Sequence, residues 1–299
     1  MRMRTWFYLR VVGAIKMAAQ FREFGMCRLR SVLGLALVAE VCVVVPQAVA
    51  QLVTDFKPPA QQCCLPGIAT RLSNALQDWN QLSRYYDANH ELLQQAADPK
   101  RVVFMGDSIT DLWDIAKSFP GKPYVNRGIG GQTTPQMLVR MYPDVIVLKP
   151  AAVVILAGTN DIARNTGPET LEQVEQNFMA MTELAQAHGI KVLLCSLTPI
   201  SDNPVPAPGR GNAMPGRGNA LPRVKQSEVR PPADILRLNS WLKTYAEKSN
   251  AVYVDYYSAV VDQNGFFRQG LTYDGLHPNQ AGYDLMAPVI SAALAKLGL

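Results

Sequence analysis

A serine hydroxyl becomes a nucleophile when a base takes its proton, and this chain offers few bases that titrate near neutral pH. Its three histidines are His90, His188 and His277. His90 falls in an N-terminal helical stretch and His188 at the end of a long helix. His277 stands beside a strand end, in Asp274-Gly275-Leu276-His277-Pro278. A carboxylate three residues before an imidazole can accept its N–H and so fix tautomer and orientation. The matching candidate nucleophile is Ser108, in Gly106-Asp107-Ser108-Ile109-Thr110. A serine on a strand-to-helix turn exposes its hydroxyl at the sheet edge, with its N–H near a helix start. A serine helix cap has the same appearance. The segment is not a G-x-S-x-G elbow, which disfavours the α/β-hydrolase fold.

Two further blocks could stabilise negative charge. Asn126-Arg127-Gly128-Ile129-Gly130-Gly131 has the glycines that let a backbone turn sharply and present N–H groups to an anion. It fails as a dinucleotide fingerprint, because Thr133 replaces the third glycine and the run does not follow the first strand. In Gly158-Thr159-Asn160-Asp161, Asn160 can aim a neutral amide donor at a developing oxyanion. An asparagine in a turn looks the same.

The order of elements decides whether these blocks can meet. Short stretches at Val102–Met105, Tyr124–Asn126, Ala151–Ala157, Ile190–Cys195 and Val252–Val254 read as strands, the first and third of them apolar throughout. Helical patterns separate or follow them at Ile109–Lys117, Pro135–Val147, Pro168–His188, Asp234–Asn250 and Gln280–Leu297. Gly189 is placed to end the third of these. In the last, Leu285, Met286, Val289, Ile290, Ala293 and Leu294 are expected to face inward. An earlier helix is expected over Ala69–Ala97, with Leu72, Leu76, Trp79, Leu82, Tyr85 and Tyr86 on one face. Strands alternating with helices imply a parallel sheet covered on both sides. Ligands of such sheets bind at the carboxyl ends of the strands, where all four blocks lie.

Residues 199–232 break the rhythm with eight prolines and a near-repeat, Pro208-Gly209-Arg210-Gly211-Asn212-Ala213-Met214 followed by Pro215-Gly216-Arg217-Gly218-Asn219-Ala220-Leu221. This stretch reads as a loop, either a tolerated insertion or a substrate-contacting segment.

The 299 residues hold 29 Lys+Arg against 24 Asp+Glu. The excess sits in residues 1–50, with seven basic and two acidic side chains, leaving 22 of each beyond. A neutral body lacks the clustered basic charge that nucleic acid requires, so no nucleic-acid partner is expected. With 48% hydrophobic and 18% charged residues the chain is not disordered. Arg28 and Arg30, the apolar run Val32–Val45 and Ala48-Val49-Ala50 form a secretory signal pattern, with Met26 a conventional start and cleavage expected near Ala50. An uncleaved membrane anchor is the alternative, though Glu40 and Pro46 interrupt the run. Cys63, Cys64 and Cys195 remain after cleavage, too few for a disulfide framework. Cys195 is expected in the core. With no Cys/His cluster, neither metal nor cofactor is expected.

Taken together, GDS, the glycine block, GTND and DxxH resemble the four diagnostic blocks of the SGNH (GDSL-type) hydrolases, across about residues 100–298. The Gly-Ile-Gly-Gly and Gly-Thr-Asn-Asp wording is similar to the platelet-activating-factor-acetylhydrolase-like branch, whose members often favour short acyl groups. The resemblance implies a flavodoxin-like three-layer α/β/α sandwich with a five-stranded parallel sheet. It implies Ser108 as nucleophile, His277 as base and Asp274 as its orienting acid. It implies an oxyanion hole from Ser108, Gly131 and Asn160, with a shift to Gly130 possible. The Pro/Gly/Arg loop departs from the family pattern.

The expected organisation is a leader at 1–50, an arm and helix at 51–98 and a hydrolase domain at 99–299. The expected activity is that of an exported ester hydrolase acting on a small-molecule or glycan ester, with short acyl groups such as acetyl. Lysophospholipase or thioesterase activity on longer chains is the alternative. A non-catalytic glycan-binding module on the same fold is a third, and would be expected to have lost Ser108, Asn160 or His277.

Overall fold

The computed structural model describes residues 72–73, 76–204 and 225–299. The leader, Cys63, Cys64 and the Pro/Gly/Arg repeat lie outside the described residues. Five strands pair in parallel: β1 (Val102–Gly106), β2 (Tyr124–Gly128), β3 (Ala152–Leu156), β4 (Lys191–Cys195) and β5 (Val252–Val254). Their order is β2-β1-β3-β4-β5. The sheet therefore grows outward from β1 in both directions. The reversal beside β1 is the topological switch point at which open α/β sheets bind ligands.

The helices are α1 (Tyr86–Leu93), α2 (Ser108–Asp111), α3 (Ile115–Ser118), α4 (Thr134–Asp144), α5 (Thr159–Ile162), α6 (Leu171–Ala187), α7 (Gln226–Val229), α8 (Pro232–Lys248), α9 (Tyr256–Val260) and α10 (Gln280–Lys296). Successive strand residues point to opposite faces. Val103, Met105, Val153, Ile155, Val192 and Leu194 meet one helical layer through Met137 and Met141 of α4, Phe178 and Met181 of α6, and Leu238 and Leu242 of α8. Val102, Phe104, Val154, Leu156 and Leu193 meet the other through Ile115 of α3, Tyr256 of α9 and Met286 and Ile290 of α10. This is the expected three-layer α/β/α sandwich. Phe178 is fully buried. Truncating such a side chain to alanine typically costs about 3–5 kcal/mol. Cys195 is buried and unpaired, as expected.

The helix ends follow local chemistry. Thr170 and Gln173 form a reciprocal capping box at the start of α6 (2.9 and 3.2 Å). Gly189, at φ 72°, ends that helix as expected. Asn279 caps α10 by accepting from the Gly282 N–H at 3.1 Å.

Several expectations are corrected. The single helix over Ala69–Ala97 does not form. Asp78 accepts from the N–H groups of Leu82 and Ser83 (2.7 and 3.0 Å). Gln81 adopts φ 56°, a short 3-10 turn covers Leu82–Tyr85, and only then does α1 begin. Leu72, Leu76, Trp79, Leu82 and Tyr86 are all exposed. The buried residues of that segment, among those described, are Asn80 and Asn89, the latter donating to the Asp144 carboxylate at 2.6 Å. Ile109–Lys117 is two short helices, with the chain re-capped at Asp114, which accepts from the Lys117 N–H. In α10, Leu285 is exposed and Tyr283 takes an inward place. The stretch 199–232 is not a loop throughout. It includes α7, and α8 already starts at Pro232.

Candidate active site

Ser108 leaves the carboxyl end of β1 as the first residue of α2. The cap of that helix is not the serine but Asp107, whose Oδ1 accepts from the Ile109 N–H at 2.8 Å. Capping by its neighbour leaves the Ser108 hydroxyl available. The Oγ lies 2.8 Å from Nε2 of His277, whose Nδ1 lies 2.6 Å from Oδ2 of Asp274. The structure thus joins three residues from the two ends of the domain in one hydrogen-bonded line.

The DxxH loop is held from several sides. Oδ1 of Asp274 accepts from the N–H groups of Leu276 and His277 (2.9 and 2.8 Å). The Thr272 hydroxyl donates to the His277 carbonyl at 2.8 Å. Gly275 sits at φ 90°, and a Cβ there would lie 2.0 Å from the carbonyl oxygen of Ser201. Tyr273 stacks on the His277 ring, 5.9 Å between centroids. Burial alone would push the Asp274 carboxyl up, but the hydrogen bond and charge of His277 and the two backbone donors hold it below its ordinary value. Asp107 behaves oppositely. It is fully buried, and desolvation pushes it up to about 6 against the opposing pull of the Ile109 N–H and the His277 charge.

The glycine block lies beside the serine. Asn126 holds it there, donating to the carbonyls of Thr110 and Trp113 (2.7 and 3.0 Å) and accepting from the Gly128 N–H at 2.8 Å. The Gly130 N–H donates to Oδ2 of Asp111 at 3.1 Å. The Gly131 N–H makes no hydrogen bond among the described residues, while the Gly131 carbonyl accepts from the Asn165 amide at 3.0 Å. Of the two glycines, Gly131 is therefore the one with a donor to spare.

Asn160, in α5, is buried, and its Nδ2 donates to the Gln132 carbonyl at 3.0 Å. Its Oδ1 accepts from the guanidinium of Arg230 at 3.2 Å. Sequence reasoning missed Arg230, which lies seventy residues beyond Asn160 at the end of the Pro-rich stretch and carries no local signal. It also missed Asp111, although a carboxylate three residues after a serine on a helix start was visible. Among the described residues no group of three or more His, Cys, Asp or Glu side chains is arranged to hold a metal ion.

This geometry can be set beside known proteins. The profile of the GDSL-like lipase/acylhydrolase family matches residues 104–285, from β1 into α10 and across all four blocks. The chain belongs to the GDSL-like lipase/acylhydrolase family. Residues 104–285 are its GDSL-type acylhydrolase domain. A solved structure of an inferred acylhydrolase from Bacteroides fragilis is 40% identical, with TM-score 0.62 over 74% of this chain and 98% of its own. The esterase TesA of Pseudomonas aeruginosa is 33% identical over 120 residues, 36% of this chain and 58% of that protein. An uncharacterised lipoprotein of Bacillus subtilis is 37% identical over 79 residues, 25% of this chain and 32% of its own. The chain thus spans about a third and somewhat over half of these two curated relatives. Among the described residues, no helix of this GDSL-family chain is long and apolar enough to cross a membrane.

Proposed function

We propose that the protein is a serine-dependent carboxylic-ester hydrolase that releases short acyl groups, acetyl above all, from carbohydrate or small esters. The observation that carries the reading is the unbroken line from Ser108 Oγ through His277 to Asp274, at 2.8 and 2.6 Å. In this reading the Ser108 oxygen attacks the ester carbonyl carbon while His277 Nε2 takes the hydroxyl proton. The carbonyl oxygen becomes an oxyanion received by the N–H groups of Ser108 and Gly131 and the Asn160 amide. When the intermediate collapses, His277 gives its proton to the departing alcohol. Water then attacks the acyl-serine in the same way, releasing the acid and restoring the hydroxyl. Asp274 holds the Nδ1–H, which keeps Nε2 free to act as base. Each oxyanion donor lowers the barrier by about 3 kcal/mol, roughly a hundredfold in rate.

The short-acyl reading is supported by what surrounds the serine. Apart from Ser108, the side chains beside Gly130 and Gly131 are the Asp111 carboxylate and the Asn165 amide, which suit a small polar ester better than an alkyl chain. All of Ser108, Asn160 and His277 are present, which favours an enzyme over a binding module. A series of p-nitrophenyl esters, run beside acetylated xylan, tests the preference. Highest kcat/KM for acetate is expected. A clear preference for eight or more carbons would replace this reading with a lysophospholipase or thioesterase.

We further propose that residues 1–50 are an export leader, followed by an arm at 51–98 and the hydrolase domain at 99–299. The basic, apolar and small-residue pattern supports this, as does the lipoprotein relative. N-terminal sequencing of the exported protein should start near Gln51. Recovery of a chain that keeps residues 26–50 in the membrane fraction would overturn it.

A further inference from the structure

Arg230 is 8% exposed, yet no carboxylate lies within ion-pair distance of it among the described residues. A buried cation is costly unless its donors are satisfied, and this one gives them to neutral oxygens. Nε donates to the Thr159 carbonyl and hydroxyl (3.1 and 3.2 Å), one terminal nitrogen to the Gln226 amide oxygen (2.9 Å) and the other to Oδ1 of Asn160 (3.2 Å). Two of its three partner side chains, Thr159 and Asn160, belong to the GTND block.

The Asn160 amide is thereby fixed at both ends. Its Nδ2 faces the Gln132 carbonyl, which can only accept, and its Oδ1 faces a guanidinium, which can only donate. Turning the amide over would set oxygen against oxygen and nitrogen against nitrogen. One Nδ2 hydrogen is spent on Gln132, and the second is left for an incoming oxyanion.

Arg230 is itself held rigidly. It precedes Pro231 and Pro232, which restricts its backbone to an extended form, and it shows φ −131° and ψ 78°. Its N–H donates to the Gln226 carbonyl at 2.7 Å. Ser227 is stapled to Asp202 by two hydrogen bonds (2.8 and 2.6 Å), so the outgoing and returning limbs of the Pro-rich stretch are joined. Gln226 also packs against the DxxH loop, its Cγ 3.4 Å from where a Gly275 Cβ would stand.

We propose that Arg230 is a positioning residue for ester hydrolysis: it locks and polarises the Asn160 amide as an oxyanion donor, and α7 braces it against the DxxH loop. This rests on the reading of Ser108 and Asn160 given above. Burial lowers the proton affinity of the guanidinium, and the carboxylates that oppose this are Asp107 and Asp274, on either side of the Ser108–His277 contact. Its charge opposes the oxyanion's charge through one intervening amide.

The test is a double-mutant cycle with p-nitrophenyl acetate, comparing Arg230→Ala, Asn160→Ala and the pair, with the melting temperature of each. Arg230→Ala should lower kcat about tenfold, less than the roughly hundredfold expected of a lost donor, and change KM by less than about twofold. On the Asn160→Ala background the same change should cost less than about twofold. Added methylguanidinium should restore part of kcat to Arg230→Ala and none to the double variant. A wild-type kcat in Arg230→Ala, or an undiminished loss on the Asn160→Ala background, overturns the assignment. Should Arg230→Ala not fold, Arg230→Lys carries the same cycle, since it keeps the charge and loses the fork. If Ser108→Ala stays active or Asn160→Ala is unimpaired, the underlying reading has failed. If both are impaired and Arg230 is merely additive, only its positioning role has.

Discussion

Gly275→Ala should displace the DxxH loop although glycine has no side chain to take part in the reaction. Two effects combine. The native φ of 90° is one that an alanine adopts only at a cost of about 1–2 kcal/mol. The added methyl would also stand 2.0 Å from the Ser201 carbonyl oxygen, less than any real contact. That oxygen cannot retreat freely, because the Ser201 N–H donates to the Gly275 carbonyl at 2.7 Å. Breaking this bond costs about another 1 kcal/mol. With the loss of packing around the displaced loop, the total is about 3 kcal/mol, or about 6–12 °C in melting temperature for a domain of this size. The displacement falls between Asp274 and His277, so kcat should drop more than about tenfold as the 2.8 Å contact to Ser108 is lost. Gly270→Ala is the control. Gly270 has φ 82° but no atom within 4 Å of its added Cβ, so it isolates the backbone cost. It should melt about 2–8 °C lower and keep its kcat. Thermal unfolding by circular dichroism and steady-state hydrolysis of p-nitrophenyl acetate read both. If Gly275→Ala melts with Gly270→Ala and matches its kcat, the clash argument is wrong.

Other expectations concern the carboxylates. Asp107 is pushed up to about 6, above an ordinary value of 3.8, so the folded state binds more proton than the unfolded state between these values and stability falls as pH rises through them. Asp107→Asn keeps the capping oxygen and should remove that fall; urea midpoints from pH 4 to 8 that show the same slope in both proteins would refute it. Asp274 is held down, so its stabilising contribution is intact above about pH 4 and is lost only as pH falls further into acid. Asp274→Asn leaves the backbone bonds to Oδ1 possible but cannot accept the Nδ1–H in the same way; kcat near neutral pH should fall about a thousandfold or more with little change in melting temperature, and a loss under about tenfold would deny Asp274 its orienting role.

Much of this arrangement was legible. Four of the five strands are short, largely apolar runs, because a parallel sheet is covered on both faces and needs no alternation; β2, at the sheet edge, instead carries Asn126 and Arg127. Three of the four blocks stand directly after strands and the fourth follows β5 beyond α9 and a connecting segment, so their convergence at one sheet edge followed from the strand order. Periodicity failed where a side chain intervened. Leu72, Leu76, Trp79 and Leu82 have helical spacing, but the Asp78 carboxylate seizes two backbone N–H groups and turns the chain. Leu285 has the spacing of its neighbours yet lies at the edge of the buried stripe. Asp107 was read only as part of a motif, while its burial gives it both the cap and the raised proton affinity. Arg230 could not be found from sequence, since nothing in Val229-Arg230-Pro231 distinguishes it from the other arginines of a Pro-rich stretch. Only the return of the chain along α7 brings it to Asn160.

The central claim is that Ser108 forms the covalent acyl intermediate. Labelling of the full chain with a fluorophosphonate, followed by peptide mapping, tests it most directly. One adduct on Ser108 is expected, absent from Ser108→Ala, together with loss of p-nitrophenyl acetate hydrolysis in that variant. An adduct on another residue, or a Ser108→Ala protein that hydrolyses the ester at the wild-type rate, would contradict it.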